Sequence, residues 1–97
     1  MTPVIVRPAA EADIADAFHW YEEQRAGLGN EFRAQLRIAF DAISKNPLLF
    51  RVVHRNTRRY LVRRFPYAIY YRVFPDKVVV IACMHGRRNP RRWQSRN

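Results

Sequence analysis

Phe65-Pro66-Tyr67-Ala68-Ile69-Tyr70-Tyr71-Arg72-Val73-Phe74-Pro75-Asp76-Lys77-Val78-Val79-Val80-Ile81-Ala82-Cys83-Met84 is the stretch whose reading decides the fold. Tyr67 to Phe74 is rich in Tyr and β-branched residues, the composition of a strand. Tyr67, Ile69, Tyr71 and Val73 fall on one face at period two and make a core wall. Pro75-Asp76 turns the chain. Lys77 to Met84 is apolar from Val78 onward. A half-exposed strand alternates, so a continuous apolar run predicts a strand inside the sheet, covered on both faces.

Upstream of the tight Phe65-Pro66 turn, Arg58 to Phe65 alternates enough to read as another strand. Before it lie two helical stripes. Ile14, Ala17, Phe18 and Tyr21 recur at helical spacing after Pro8 and the acids Glu11 and Asp13, which are helix-start signals. Gly27 and Gly29 are expected to end that helix, and Asn30 to cap the next. Phe32, Leu36, Ala39, Phe40 and Ile43 form the second stripe, stopped by Asn46-Pro47. Val4 to Arg7 is a short β-branched run halted by Pro8. The expected order is β-α-α-β-β-β, an α+β domain over residues 1–97. An antiparallel helical hairpin packs on one face of a small, mainly antiparallel sheet.

The chain has 97 residues, enough for one modest core. It carries 18 Lys+Arg against 8 Asp+Glu, a net charge of +10. Residues 1–50 hold 5 cations and 7 anions, whereas residues 51–97 hold 13 cations and one anion, Asp76. A field that lopsided seeks phosphate or an acidic partner. Sixteen of the cations are Arg, which pairs bidentately with phosphate and carboxylate. Cys83 is alone, so no internal disulfide forms and no Cys-based metal site can be built. No run is long enough for a membrane span and the N-terminus has no signal-like apolar core, so a cytoplasmic setting is expected.

The candidate chemistry is sparse. Cleaving RNA without metal needs a base for the 2′-OH, a cation for the phosphorane and an acid for the leaving oxygen. Arg72, His85, Arg87 and Arg88 are the residues that could supply them, with His54 as a second acid–base group. A histidine at a strand end is more often structural. Cys83, inside an apolar strand, reads as an inert thiol. His19 and Glu22 sit one helical turn apart, but one such pair reads as a solvated helix face. No cofactor or small-molecule substrate is expected.

The order of elements and several motifs resemble the RelE/ParE superfamily of bacterial toxins from type II toxin–antitoxin modules. Arg64 to Val73 is similar to that family's hairpin between its second and third strands. Val78-Val79-Val80-Ile81 followed by His85-Gly86-Arg87-Arg88-Asn89-Pro90 and Trp93 is similar to its last strand and exit. Ala12-Asp13-Ile14, Trp20-Tyr21 and Asn46-Pro47 add to the match. One branch of the superfamily cleaves mRNA in the ribosomal A site; the other, ParE-like, poisons DNA gyrase. The nuclease branch carries an Arg where this chain has Ala68, a Lys where it has Leu61, and a Tyr near Trp93 and Gln94; only Arg88 matches. The resemblance therefore implies a ParE-like toxin with no catalytic residue of its own and no metal, a growth inhibitor of the plasmid-stabilising kind. The alternatives are a ribosome-dependent endoribonuclease and a non-toxic, degenerate module that only binds an antitoxin or RNA.

The resemblance also implies partners: a cognate antitoxin with an acidic C-terminal arm, and gyrase or its DNA complex, or in the alternative the ribosome with mRNA. The Arg clusters are the expected contacts: Arg58, Arg59, Arg63 and Arg64 before the hairpin, and Arg87, Arg88, Arg91, Arg92 and Trp93 after the last strand. Aromatics interleaved with Arg, namely Tyr60, Tyr67, Tyr71 and Trp93, can stack on bases, but such aromatics are more often simply core.

Overall fold

Pro8 opens helix α1 (Pro8–Gln24), where its missing N–H is one that the first turn leaves unpaired anyway. Strand β1 (Val4–Val6) precedes it, and a second helix, α2 (Leu28–Lys45), follows. This computed structural model describes residues 1–96. Four more strands come next: β2 (Val52–His54), β3 (Thr57–Leu61), β4 (Tyr67–Phe74) and β5 (Lys77–His85). A short helix, α3 (Arg91–Gln94), follows β5. The sheet order is β1-β5-β4-β3-β2; β1 lies parallel to β5 and every other pair is antiparallel. The α+β hairpin-on-sheet architecture is as expected, with one more strand.

The helical turn corrects two expectations. Gly27 takes a left-handed φ of 90° and is the residue that reverses the chain. Gly29 does not end α1; it is buried in the first turn of α2, where an added Cβ would lie 2.7 Å from the Phe18 ring. Asn30 is not the cap. Glu22 of α1 does that work: its Oε1 accepts the Gly29 N–H at 2.8 Å and its Oε2 the Gly27 N–H at 3.2 Å. A carboxylate borrowed from the preceding helix thus satisfies orphan donors at the positive end of α2.

β3 also stops earlier than expected. Arg64 adopts a positive φ of 69°, which no strand continues through. Residues 62–66 form a wide turn, closed by the Val62 N–H donating to the Tyr67 carbonyl at 2.9 Å. β2 and α3 were not foreseen; three or four residues are too few to display a period.

The expected stripes build the core, except that Phe18 lies outside the cluster, half-buried between Gly29 and the Arg33 guanidinium. Ala17 and Tyr21 of α1 and Phe32, Leu36, Ala39 and Ile43 of α2 pack on Ile69, Tyr71, Val78, Val80 and Cys83. β5 is buried on both faces, as its composition requires. Val79, Ile81, Ala82 and Met84 join Ala68 and Tyr70 in a second cluster on the face away from the helices. A bulge opposite Tyr70 and Tyr71 turns both Ile81 and Ala82 to that face. Trp93 of α3 seals it, stacking on Tyr70 with centroids 4.2 Å apart and planes 14° apart.

β5 outruns its neighbour. The Arg7 N–H donates to the Val80 carbonyl at 3.0 Å, and there β1 ends. Beyond it two side chains take the place of a strand. Asp13 Oδ2 accepts the Cys83 N–H at 3.1 Å, and the Arg96 guanidinium donates to the Ile81 carbonyl at 3.2 Å. Arg96 also forks onto the Asp13 carboxylate at 2.5 and 3.1 Å, and Arg7 donates to the Arg96 carbonyl at 2.9 Å.

Two predictions follow from these contacts. Glu22→Ala should cost about 1 kcal/mol through the lost cap, read as a melting temperature roughly 4–8 °C lower. An unchanged melting temperature would show that the cap is not used in solution. The second concerns Tyr71, whose phenol is buried and donates to the Pro47 carbonyl at 2.8 Å. Burial pushes its pKa from 10.0 to about 12. The folded state therefore keeps the proton after the unfolded chain has lost it, so this stability is complete below pH 10 and is lost as pH rises towards 12. Tyr71→Phe should shift the urea midpoint down at neutral pH and flatten its fall over that alkaline window; an equally steep fall would assign the effect to other groups.

Candidate interaction surface

The face of the sheet away from the helices is the first place to look for chemistry. Cross-strand pairs Thr57–Arg72, Arg59–Tyr70 and Leu61–Ala68 bring these side chains onto that face. Ala68 is wholly buried, while Leu61 is 64% exposed. Where the nuclease branch would set two cations side by side, this surface has a leucine over an alanine. Arg72 lies on the same face with its guanidinium 5.7 Å from the Phe74 ring centre.

The other nuclease candidates lie at the far end of the sheet. His85 pairs with Tyr67, five residues along β4 from Arg72, roughly 17 Å at strand rise. Its Nδ1 accepts the Arg87 N–H at 3.0 Å, and its ring meets Tyr67 edge-on at 5.6 Å. Arg88 and Arg92 line a cleft of about 230 Å³ against α1, together with Asp13, Asp16, Trp20 and Tyr67. Arg72 and Arg88 are thus not brought together. His54 is a third, separate group, edge-on to Trp93 at 5.9 Å. Burial, reinforced by the Asp13 carboxylate, pushes the Cys83 thiol up to about 12, so it stays protonated and unreactive. Among the described residues, no three His, Cys, Asp or Glu side chains converge on a point where an ion could sit.

The arginines divide into two sets. Arg58 is structural: it donates to the Leu48 carbonyl at 3.0 Å and the Phe50 carbonyl at 2.7 Å. Arg64 pairs with Glu31 at 2.9 Å, and Arg25 reaches the other oxygen of the same carboxylate at 3.0 Å. Those hydrogen bonds, Arg64 first, hold the Glu31 carboxyl below its usual range. Trp93 spends its ring on Tyr70 and is buried. Arg63, Arg87, Arg88, Arg91 and Arg92 are exposed, and Arg59 is half-buried beside Tyr70. The exposed set is therefore a rim that runs from the 62–66 turn to the tail.

Two surface features escaped the sequence reading. Trp20 is 55% exposed on α1 and forms part of the wall of the Arg88 cleft; the sequence offered it only as part of the family motif Trp20-Tyr21, off the Ile14–Tyr21 stripe. Leu48 and Leu49 are 66% and 71% exposed; two leucines just past a helix stop, on no periodic face, were the signal available.

No helix is long and apolar enough among the described residues to cross a membrane. No curated protein matches this chain. Among solved structures, the chain is similar to one from the chromosomal ParDE toxin–antitoxin system of P. aeruginosa. The two share a TM-score of 0.77 at 13% identity, over 88% of this chain and 96% of that one. That likeness speaks for the fold. The family model for the ParE toxin of the parDE type II toxin–antitoxin system matches residues 4–90, and with the hairpin-on-sheet fold above it shows that this chain belongs to the ParE toxin family.

Proposed function

We propose that this chain stops growth by poisoning DNA gyrase and is held inactive by a cognate antitoxin whose acidic C-terminal arm folds over it. The observation that carries the first part is the Leu61–Ala68 pair on the outer face. A cleavage site for RNA needs clustered cations around the scissile phosphate. An exposed leucine over a buried alanine offers none there, and Arg72 and Arg88 sit at opposite ends of the sheet. What remains is a protein that acts by contact, through the exposed arginines of the tail and the 62–66 turn. Such a surface suits a gyrase–DNA complex, where guanidinium groups meet phosphate and acidic side chains.

The antitoxin reading rests on charge. Residues 51–97 carry 13 cations against one anion, so an acidic arm is drawn in fast and in a salt-dependent way. Arg64 is not the place to test this, because it is tied to Glu31. Arg63 and Arg87 are exposed and suit the purpose.

The direct test is purified protein with gyrase, ATP and supercoiled plasmid. The expected outcome is accumulation of cleaved plasmid, with naked RNA left intact under the same conditions. In cells, induction should raise the SOS response before protein synthesis falls. Collapse of translation first, with mRNA cut at ribosomes, would establish the endoribonuclease instead. Separately, Arg63→Glu with Arg87→Glu should slow association with an acidic antitoxin peptide by about tenfold at low salt and flatten its salt dependence. An on-rate indifferent to both would remove these arginines from the antitoxin interface.

A further inference from the structure

The cleft between α1 and the tail has chemistry that the toxin reading leaves unassigned. One wall is a stripe of α1: Asp13, Asp16, Ala17 and Trp20 fall at i, i+3, i+4 and i+7 and all line it. The end of β5 and the tail supply His85, Arg88 and Arg92, and Tyr67 of β4 completes the lining. A second hollow of about 520 Å³ adjoins the first and shares Trp20, Tyr67, His85 and Arg88 with it. Tyr21 and Pro66 line that second part, so it is mainly aromatic and apolar. The cleft therefore has a charged end and an aromatic end, and its size is that of a small-molecule site.

The side chains at both ends remain available to a ligand. The Trp20 ring stands edge-on to Tyr21 with centroids 5.1 Å apart, which leaves a face open. Among the described residues no ion pair uses Asp16, Arg88 or Arg92, although these opposite charges line one cleft. Asp13 is different: Arg96 pairs with it, and that bond pins the tail to α1 and fixes one wall against the other. With Asp13 neutralised, two guanidinium groups face one carboxylate, and the cleft favours an anion. His85 adds a donor. Its Nδ1 accepts the Arg87 N–H at 3.0 Å, so the neutral ring carries its proton on Nε2.

We propose that this cleft binds a ribonucleoside 5′-phosphate. The base lies against Trp20 beside Tyr67, where any heterocycle can stack. The phosphate takes the guanidinium groups of Arg88 and Arg92, whose forked N–H donors match its oxygens, with the His85 Nε2–H as a further donor. Asp16 accepts from the ribose hydroxyls, the role a carboxylate plays in dinucleotide sites. An aromatic amino acid could use the same aromatic end, but it carries one charge of each sign, and the cleft has a cation in excess. A nucleotide site of this kind lies outside the toxin reading and involves neither gyrase nor an antitoxin.

The probe is adenosine 5′-monophosphate titrated into the whole protein, followed by calorimetry and by quenching of tryptophan fluorescence. Trp93 is buried against Tyr70, so quenching reports on Trp20. We expect saturable binding that Trp20→Ala weakens about tenfold and that Arg88→Glu with Arg92→Glu weakens further. In the native chain the ribonucleotide should bind about tenfold more tightly than 2′-deoxyadenosine 5′-monophosphate, and Asp16→Ala should erase that ratio. All four residues are exposed, and an unchanged melting temperature will verify the fold. Absence of saturation up to about 1 mM, or binding that ignores Trp20→Ala, would overturn the proposal. So would inorganic phosphate that binds as tightly as the nucleotide, which would leave a plain anion surface. Tighter binding of a hexa-adenylate strand that ignores Trp20 and Asp16 would overturn it as well and make the cleft part of a strand-binding surface. Gyrase and antitoxin are absent from every arm, so failure here leaves the proposed toxicity standing, and the reverse also holds.

Discussion

A strand buried on both faces must have its backbone satisfied on both edges, and β5 meets that demand with only a three-residue neighbour on one side. Past Val80 its peptide groups have no β1 to pair with. The chain answers with a carboxylate from α1 and a guanidinium from the tail, which bond to each other and to the Cys83 N–H and Ile81 carbonyl. Breaking either partner strands the other charge in a partly buried site and frees a backbone group, a loss of about 1–3 kcal/mol. The first helix, the last strand and the end of the described chain are therefore one mechanical unit. Arg7 joins it through the Arg96 carbonyl.

That closure decides how the charge is displayed. With Arg96 pinned to Asp13 and Trp93 stacked on Tyr70, the tail runs along the sheet rather than away from it. Arg88 and Arg92 then fall into the cleft beside Trp20, while Arg87 and Arg91 face solvent. Other arginines already have partners within the chain: the half-buried Arg58 on two carbonyls, the exposed Arg64 on Glu31, and the exposed Arg33 over the Phe18 ring at 4.0 Å. These contacts leave the net charge of +10 in place but reduce the number of guanidinium groups free to bond a partner. The surface left over is apolar as well as basic at the β2–β3 end, and mixed with aspartates beside α1.

Where the sequence carried periodic information, it was read correctly. The two helical stripes, the alternating wall of β4 and the continuous apolar run of β5 all pack as their spacing requires, because burial enforces those periods. The ParE-like motifs were legible too, in the hairpin and the exit after β5. The failures are short or non-local. β2 spans three residues and is held by pairing, so its sequence contains no alternation to find. Gly29 looks like a terminator but is there for the close approach of Phe18, a contact between helices. Glu22 looks like a solvated acid until its partners, five and seven residues on, are seen. For the same reason arginines that bond to carbonyls cannot be told from free ones by charge counting, and the exposed Leu48 and Leu49 cannot be told from core.

The tail is part of the fold, and hydrogen exchange at the Cys83 amide tests this most directly. In the native chain this N–H should exchange as slowly as those of Ile69 and Val80 in the sheet centre, opening only with global unfolding. In Asp13→Ala it should exchange at least about tenfold faster while Ile69 and Val80 keep their rates relative to global stability. Cys83 exchange that is fast in the native chain, or the same in both proteins, would contradict the side-chain closure of β5 and detach the basic tail from the sheet.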